Sequence, residues 1–185
     1  MNVKIYSDGS ARGNPGNGGY GTIIVFEDIE DDLTSGTPSK VNLVRYIPDT
    51  IYTTNDNTIE ISAGYKRTTN NRMELLGAIR GLETLVFPST VDLYSDSQYL
   101  VKAFNDGWIW SWIKKKWKKA DGSAVKNVDL WKRLLELTRI HQVNFHWVKG
   151  HDGHEFNESC DKLATDAAEN NATLEDSEFI EKEED

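Results

Sequence analysis

Cysteine is nearly absent: Cys160 is the only one in 185 residues. That excludes an intramolecular disulfide and a zinc site built from several cysteines, and it fits a reducing, cytoplasmic compartment. Long apolar runs are missing too. No stretch approaches the roughly 18 residues of a membrane span, and the N-terminus MNVKIYSDGS alternates like a strand rather than carrying the apolar block of a signal peptide. Apolar residues make up only 38% of the chain, so some segments are expected outside the core. The length still suffices for one domain with a substantial core of its own. No internal repeat is visible, and nothing calls for more than a monomer.

Positive charge is scarce on average, with 21 bases against 30 acids, net -9. Taken alone, this would argue against a nucleic-acid partner, but its distribution argues the reverse. Residues 166–185 carry nine acids and one lysine, and residues 27–60 carry eight acids and two bases. The remainder holds 18 bases and 13 acids. Five lysines fall within 114–119, interrupted only by Trp117. A basic working surface of this kind is what a polyanion recognises.

The pattern of elements is that of an α/β protein. Residues 1–26 read as two antiparallel strands around the turn-rich loop GNPGNGG (13–19). TIYTTNDNTIEI suggests two short strands around Asn55, Asp56 and Asn57. A helix starts near Asn70, with Thr69 or Asn70 as its N-cap and Leu75, Ile79, Leu82 and Val86 as its apolar stripe. Beside that stripe, Glu74 lines up with Gly77, Ala78 and Gly81, small residues that let another backbone approach. Further elements are a strand at 91–96, a helix at 97–104 capped by Ser97, a helical Trp- and Lys-rich segment at 108–119, a helix capped by Asn127, a strand at 143–148 and a helix at 155–169. From about Asn170 the acidic tail is expected to be disordered. The order predicts a mixed sheet flanked by helices.

Four carboxylates stand out by context: Asp8 at the end of the first strand, Glu74 in the first turns of a helix, Asp96 at a strand end, and Asp161 beside Cys160. Strand ends in α/β sheets are where ligands gather. Spacing alone leaves two readings open. The four either cap turns and face solvent, or they converge. The chemistry that would need convergence is phosphodiester cleavage by two metal ions, because hard Mg²⁺ takes carboxylate oxygens and two such ions can stabilise the attacking and leaving oxygens. His151 and His154 lack a further ligand for zinc. No G-x-S-x-G elbow marks a serine nucleophile, and RGNPGNGG lacks the lysine of a phosphate loop. Trp108, Trp110, Trp112 and Trp117 interleave with lysines and cannot all share one helical face. Those left exposed suit contact with sugars and bases, with the lysines on phosphates.

The blocks YSDGSARGNPGNGGYG (6–21), TTNNRMEL (68–75), YSDSQYL (94–100), WSWIKKKWKKADGSAVKNVDLW (110–131) and WVKGHDGHEFNESCDKLA (147–164) closely resemble the type 1 ribonuclease H family. The resemblance leaves only 27–60 and the tail uncovered. It implies a ribonuclease H-like fold with a five-stranded mixed sheet, its first three strands antiparallel. A catalytic domain would span 1–169, with an acidic insertion at 27–60, a basic protrusion at 105–125 and a disordered tail at 170–185. It implies endonucleolytic cleavage of the RNA strand of an RNA–DNA hybrid, leaving 3′-hydroxyl and 5′-phosphate ends. Asp8, Glu74, Asp96 and Asp161 match the family's metal-binding acids, for two Mg²⁺ ions with Mn²⁺ as a substitute. His151 matches the histidine associated with proton transfer or product release. Asn14, Thr69, Asn70, Asn71 and Gln98 match hybrid contacts. Trp108, Trp112, Lys114, Lys115 and Lys116 match the protrusion that grips the DNA strand. Amides such as Asn70 and Gln98 suit this independently, since they can donate and accept at a 2′-hydroxyl or a minor-groove edge.

Two departures are visible. The 27–60 segment is longer than the family's usual link and reads as an outer hairpin extension. Asp152 follows His151 where a small residue is commoner. Rival readings fare worse. A strand-transfer enzyme of the same fold does not explain the amide-rich TTNNRMEL block, a 3′–5′ exonuclease would show D-x-E in the first strand, and a non-catalytic hybrid-binding module would have a broken acid set. The nuclease part of a larger reverse transcriptase is disfavoured by the start at Met1.

Overall fold

The computed structural model describes residues 1–27, 43–150 and 154–179. β1 (Asn2–Gly13) and β2 (Gly16–Phe26) form a long antiparallel hairpin. β3 (Ile51–Thr54) and β4 (Thr58–Thr68) form a second, and β4 lies antiparallel to β2. β5 (Thr90–Ser95) pairs parallel with β1, and β6 (Gln142–Trp147) pairs parallel with β5. The strand order is β3-β4-β2-β1-β5-β6, with β7 (Ala172–Glu175) parallel to β4. The helices are α1 (Asn70–Thr84), α2 (Gln98–Asn105), α3 (Trp108–Lys114), α4 (Val128–Ile140) and α5 (Glu155–Asn170).

The period of two along the strands divides the core. Val3, Ile5, Ile24 and Phe26 face the main cluster with α1 and α4, whereas Ile23, Val25 and Tyr6 join Cys160, Phe156 and Leu163 of α5. α5 comes unusually close to the sheet. A Cβ on Gly21 would stand 2.4 Å from the carbonyl oxygen of Cys160, so only glycine fits there. On the opposite face, Thr22 donates its hydroxyl proton to the Gly77 carbonyl at 2.8 Å, the close approach that the small residues of α1 foreshadow.

Three expectations need correction. Among the described residues the sheet has seven strands rather than five. β3 is the extra arm within the 27–60 extension, and β7 comes from the tail. Second, the tail is not structureless from Asn170. α5 runs to that residue, β7 pairs with Gly64–Lys66 on the β4 edge that β3 leaves open, and Asp176 is held by Arg72. Composition missed this because a free strand edge and a buried guanidinium are tertiary partners. Third, the helical reading of 108–119 stops at Lys114. Lys116 and Trp117 take left-handed conformations (φ 55° and 64°), and the chain folds back so that Val125 N–H reaches the Trp117 carbonyl at 3.0 Å. Parts of the acidic extension (28–42) and of the tail (180–185) lie outside the described residues. Among the described residues no helix is long and apolar enough to cross a membrane.

Candidate active site

Asp8 does not end its strand, as its sequence context suggests, because β1 continues to Gly13. What ends there is the neighbouring strand. Ser7 pairs with Ser95, the last residue of β5, so Asp8, within β1, and Asp96 follow side by side at the carboxyl end of β5. Glu74 reaches the same point from the second turn of α1. Thr69 caps that helix by accepting the Arg72 backbone N–H at 3.2 Å. Gly9 makes the approach possible. A Cβ there would stand 2.4 Å from the Glu74 backbone nitrogen and 2.5 Å from the Met73 carbonyl carbon. Gly9→Ala should therefore push α1 off β1. The expected result is a loss of about 2–4 kcal/mol by overpacking against backbone, read by thermal unfolding, together with a drop in turnover from the displaced Glu74.

One carboxylate oxygen from each of Asp8, Glu74 and Asp96 lies within 4.8 Å of the other two. Asp8 and Glu74 are buried, each 5% exposed. Burial, followed by the nearby Asp96 charge, pushes the Asp8 carboxyl up to about 7, although the Gly9 N–H at 2.9 Å partly offsets it. Asp161, on α5, also repels Asp8. Burial and the charges of Asp8 and Asp96 hold Glu74 well above the ordinary carboxyl range. Among the described residues its Oε2 is buried without a hydrogen-bond partner. Three crowded carboxylates with an orphaned oxygen are a poor arrangement for a protein alone and a suitable one for hard divalent cations, which take anionic oxygen ligands. The residues therefore fit Mg²⁺ or Mn²⁺. Asp161 lies outside the 4.8 Å trio, on the α5 side. Next to it, the buried Cys160 thiol is pushed far up by burial, which leaves it inert.

An exposed amide rim flanks the acids. Asn14, at the tip of the β1–β2 hairpin, accepts the Asn70 backbone N–H at 3.0 Å, which joins two of the sequence-predicted contact residues. Asn70, Asn71 and Gln98 are exposed, while Thr69 is buried as the α1 cap. Ser97 caps α2, which fixes Gln98 at the first helical position, two residues after Asp96. In the protrusion, Trp112 turns inward against Trp131, ring centroids 5.3 Å apart, so it braces the segment. Trp108 and Trp110 are the exposed indoles there, and Lys114, Lys115 and Lys116 are exposed beside them. His151 and Asp152 lie outside the described residues. Gly150, just before them, packs against Asp96, where a Cβ would stand 2.9 Å from Oδ2. His154 occupies the N-cap position of α5 without a side-chain cap bond.

Sequence reasoning missed a cluster behind the rim. Arg72, inside the block 68–75, is almost fully buried. It donates to Asp129 Oδ1 and Oδ2 at 2.9 and 2.8 Å, and to Asp176 Oδ2 and Oδ1 at 2.7 and 3.1 Å. Thr68 donates its hydroxyl proton to Asp176 at 2.6 Å. The available signal was an arginine two residues before Glu74, on the part of the helix that otherwise buries Met73, Leu75 and Leu76. Its two partners lie 57 and 104 positions away.

Comparison with known proteins bears on the family and the fold. The family model described as RNase H matches residues 1–169. A protein named ribonuclease H from Lachnoclostridium phytofermentans is 54% identical over 170 residues, covering 91% of this chain and 93% of that protein. The crystal structure of LC9-RNase H1, described as a type 1 RNase H with the type 2 active-site motif, superposes with a TM-score of 0.65 at 26% identity, covering 90% of this chain and 72% of that one. LC11-RNase H1, solved in complex with an RNA/DNA hybrid, shares the fold with a TM-score of 0.56 at 23% identity, covering 90% of this chain and 96% of that one. With the matched model covering all but the last 16 residues and a ribonuclease H 54% identical over 91% of the chain, the chain belongs to the RNase H family.

Proposed function

We propose that this protein hydrolyses the RNA strand of RNA–DNA hybrids endonucleolytically, leaving 3′-hydroxyl and 5′-phosphate ends. The observation that carries the reading is the convergence of Asp8, Glu74 and Asp96 beside an exposed rim of Asn14, Asn70, Asn71 and Gln98. Asp8, Glu74 and Asp96, with Asp161 from the α5 side, would hold two divalent cations. Bound there, the ions supply charge for the attacking and leaving oxygens of the phosphodiester. The protein's own residues do the rest. The amides accept from and donate to 2′-hydroxyls and base edges in the minor groove, which distinguishes the RNA strand without reading much sequence. Trp108 and Trp110 offer faces to sugars and bases, and Lys114, Lys115 and Lys116 neutralise phosphates of the DNA strand. His151 serves proton transfer or product release. The membership of the RNase H family, the 54% identical ribonuclease H and the hybrid-bound LC11-RNase H1 support this reading.

The test is to incubate the protein with labelled RNA–DNA hybrid, RNA duplex and DNA duplex, each with Mg²⁺ and with EDTA. Cleavage is expected only of the hybrid's RNA strand and only with the metal. Comparable cleavage of another duplex would overturn the substrate assignment.

The grip on the DNA strand has its own signature. Lys115 and Lys116 sit in the fold-back after α3, distant in sequence from all four acids. Lys115→Ala with Lys116→Ala should raise KM about three- to tenfold and lower the slope of log K against log salt by about 0.7–1 for each lost phosphate contact. The kcat should change little. A collapse of kcat at unchanged KM and salt slope would mean that the segment shapes the catalytic centre.

A further inference from the structure

We propose that the C-terminal segment Ala172–Phe179 is a latch that sets the geometry of the hybrid-binding surface, with Asp176 as its positioning residue. The inference rests on the hybrid reading above and assigns a role in substrate binding to a segment that touches none of the catalytic acids. β7 lays the segment along β4 at Gly64–Lys66, one residue short of the strip Thr68–Arg72. Leu174 packs against the core from this strand, and a turn closes the segment through Phe179 N–H and the Asp176 carbonyl at 3.1 Å. Asp176 then grips the strip twice, through the Thr68 hydroxyl and through the Arg72 guanidinium.

Arg72 is the hub. One side of its guanidinium meets Asp176, and the other meets Asp129 and the Asn127 side-chain oxygen at the start of α4. The lysine-bearing fold-back of residues 115–126 ends at Asn127. Asn127 in turn donates to the Tyr99 hydroxyl, which also accepts the Trp131 indole N–H. Asp176, Arg72 and Asp129 therefore tie three pieces together: the tail, the amide strip that meets the minor groove, and the root of the protrusion that meets the other strand. A duplex contacted at both places is bound well only if their spacing is fixed beforehand. Ordering that spacing at the moment of binding costs affinity.

The latch and plain electrostatics predict opposite signs. Asp176 is an acid in a protein that binds a polyanion, so removing its charge should by itself tighten binding. Losing the latch should weaken it.

Asp176→Ala and Asp176→Asn are compared with the full wild-type chain in steady-state kinetics on an RNA–DNA hybrid, at a temperature where all variants are folded by circular dichroism. Asp176→Ala is expected to raise KM roughly three- to tenfold, the cost of ordering binding groups on association, with kcat within about twofold. Asp176→Asn keeps an acceptor for Thr68 and should recover part of the loss. Leu137→Ala, far along α4, is the control for lowered stability alone and should leave KM unchanged. Amide hydrogen exchange of residues 68–72 is read in parallel and should quicken in Asp176→Ala without a matching change in β5. An unchanged or lower KM in Asp176→Ala overturns the latch, and so does an equal rise in Leu137→Ala. If the wild type cleaves no hybrid, the proposed function fails instead. The exchange of 68–72 then decides the latch alone, and no change there overturns it.

Discussion

Asp8→Asn and Asp96→Asn should each abolish turnover while hybrid binding stays largely intact. Each change removes one anionic ligand from a trio whose oxygens lie within 4.8 Å of one another. The loss falls on the charge stabilisation that the centre provides during reaction, so a drop of at least about 10³-fold in kcat is expected. Binding depends on the rim and the protrusion, which neither substitution touches. Activity near that of the wild type in either variant would place the chemistry elsewhere.

The same substitution should have the opposite effect on the stability of the metal-free protein. The folded state raises the Asp8 carboxyl from its ordinary 3.8 to about 7, by burial and then by the Asp96 charge. The folded state therefore binds this proton more tightly than the unfolded state does. Stability falls as pH rises from the ordinary aspartate range towards 7, and the full penalty is present above 7. In EDTA, Asp8→Asn should raise Tm at pH 8 and flatten its dependence between pH 5 and 8. The conversion is about 2–4 °C per kcal/mol for a chain of this size. Excess Mg²⁺ should lift the Tm of the wild type and leave the variant nearly unmoved, since a ligand stabilises only the state that binds it.

Truncation after Asn170 should be costly, although composition marks the residues beyond it as dispensable. It removes β7 and Asp176, and Arg72 keeps only Asp129 and Asn127. Its side chain is 3% exposed in the full chain, so the truncation takes away a carboxylate that the fold had placed on a buried guanidinium. Breaking one side of a buried ion pair costs about 3–5 kcal/mol, and the loss of Leu174 from the core adds to this. A fall in Tm of roughly 6–20 °C is expected. The single substitution Asp176→Asn should recover most of the stability relative to the truncation, because it retains the strand and one acceptor. A truncated chain that melts within a degree or two of the wild type would show that the segment contributes nothing to the fold.

The sequence was informative where a feature is local or repeats along the chain. The alternation of Val3, Ile5 and Ser7 marked β1, and the stripe Leu75, Ile79 and Leu82 marked the buried face of α1. Ser97 was legible as a cap, and the choice between Thr69 and Asn70 narrowed to Thr69, because capping is settled within three residues. The acids were legible as candidates through the ordered blocks that contain them. It was less informative where two distant pieces must meet. The fold-back after Lys114 was hidden because lysine and tryptophan are acceptable helix residues, and only the return of Val125 to Trp117 makes the left-handed turn worthwhile. Trp112 could not be told from Trp108 or Trp110 until Trp131 was seen beside it.

The sequence by itself therefore determined the α/β class, the alternation that builds β1 and β2, and the order of strands and helices from β1 to α5, while it offered the four acids and the amides as candidates through their family resemblance. Only the tertiary structure decided that Asp8 and Asp96 are neighbours, because that follows from the Ser7–Ser95 register between strands 88 positions apart. It alone decided that Glu74 reaches them, because a missing Cβ at Gly9 lets α1 rest on β1. And it alone decided that an acidic tail is structure, because the value of Asp176 lies in a guanidinium buried 104 residues earlier, where an unpaired charge would be expensive.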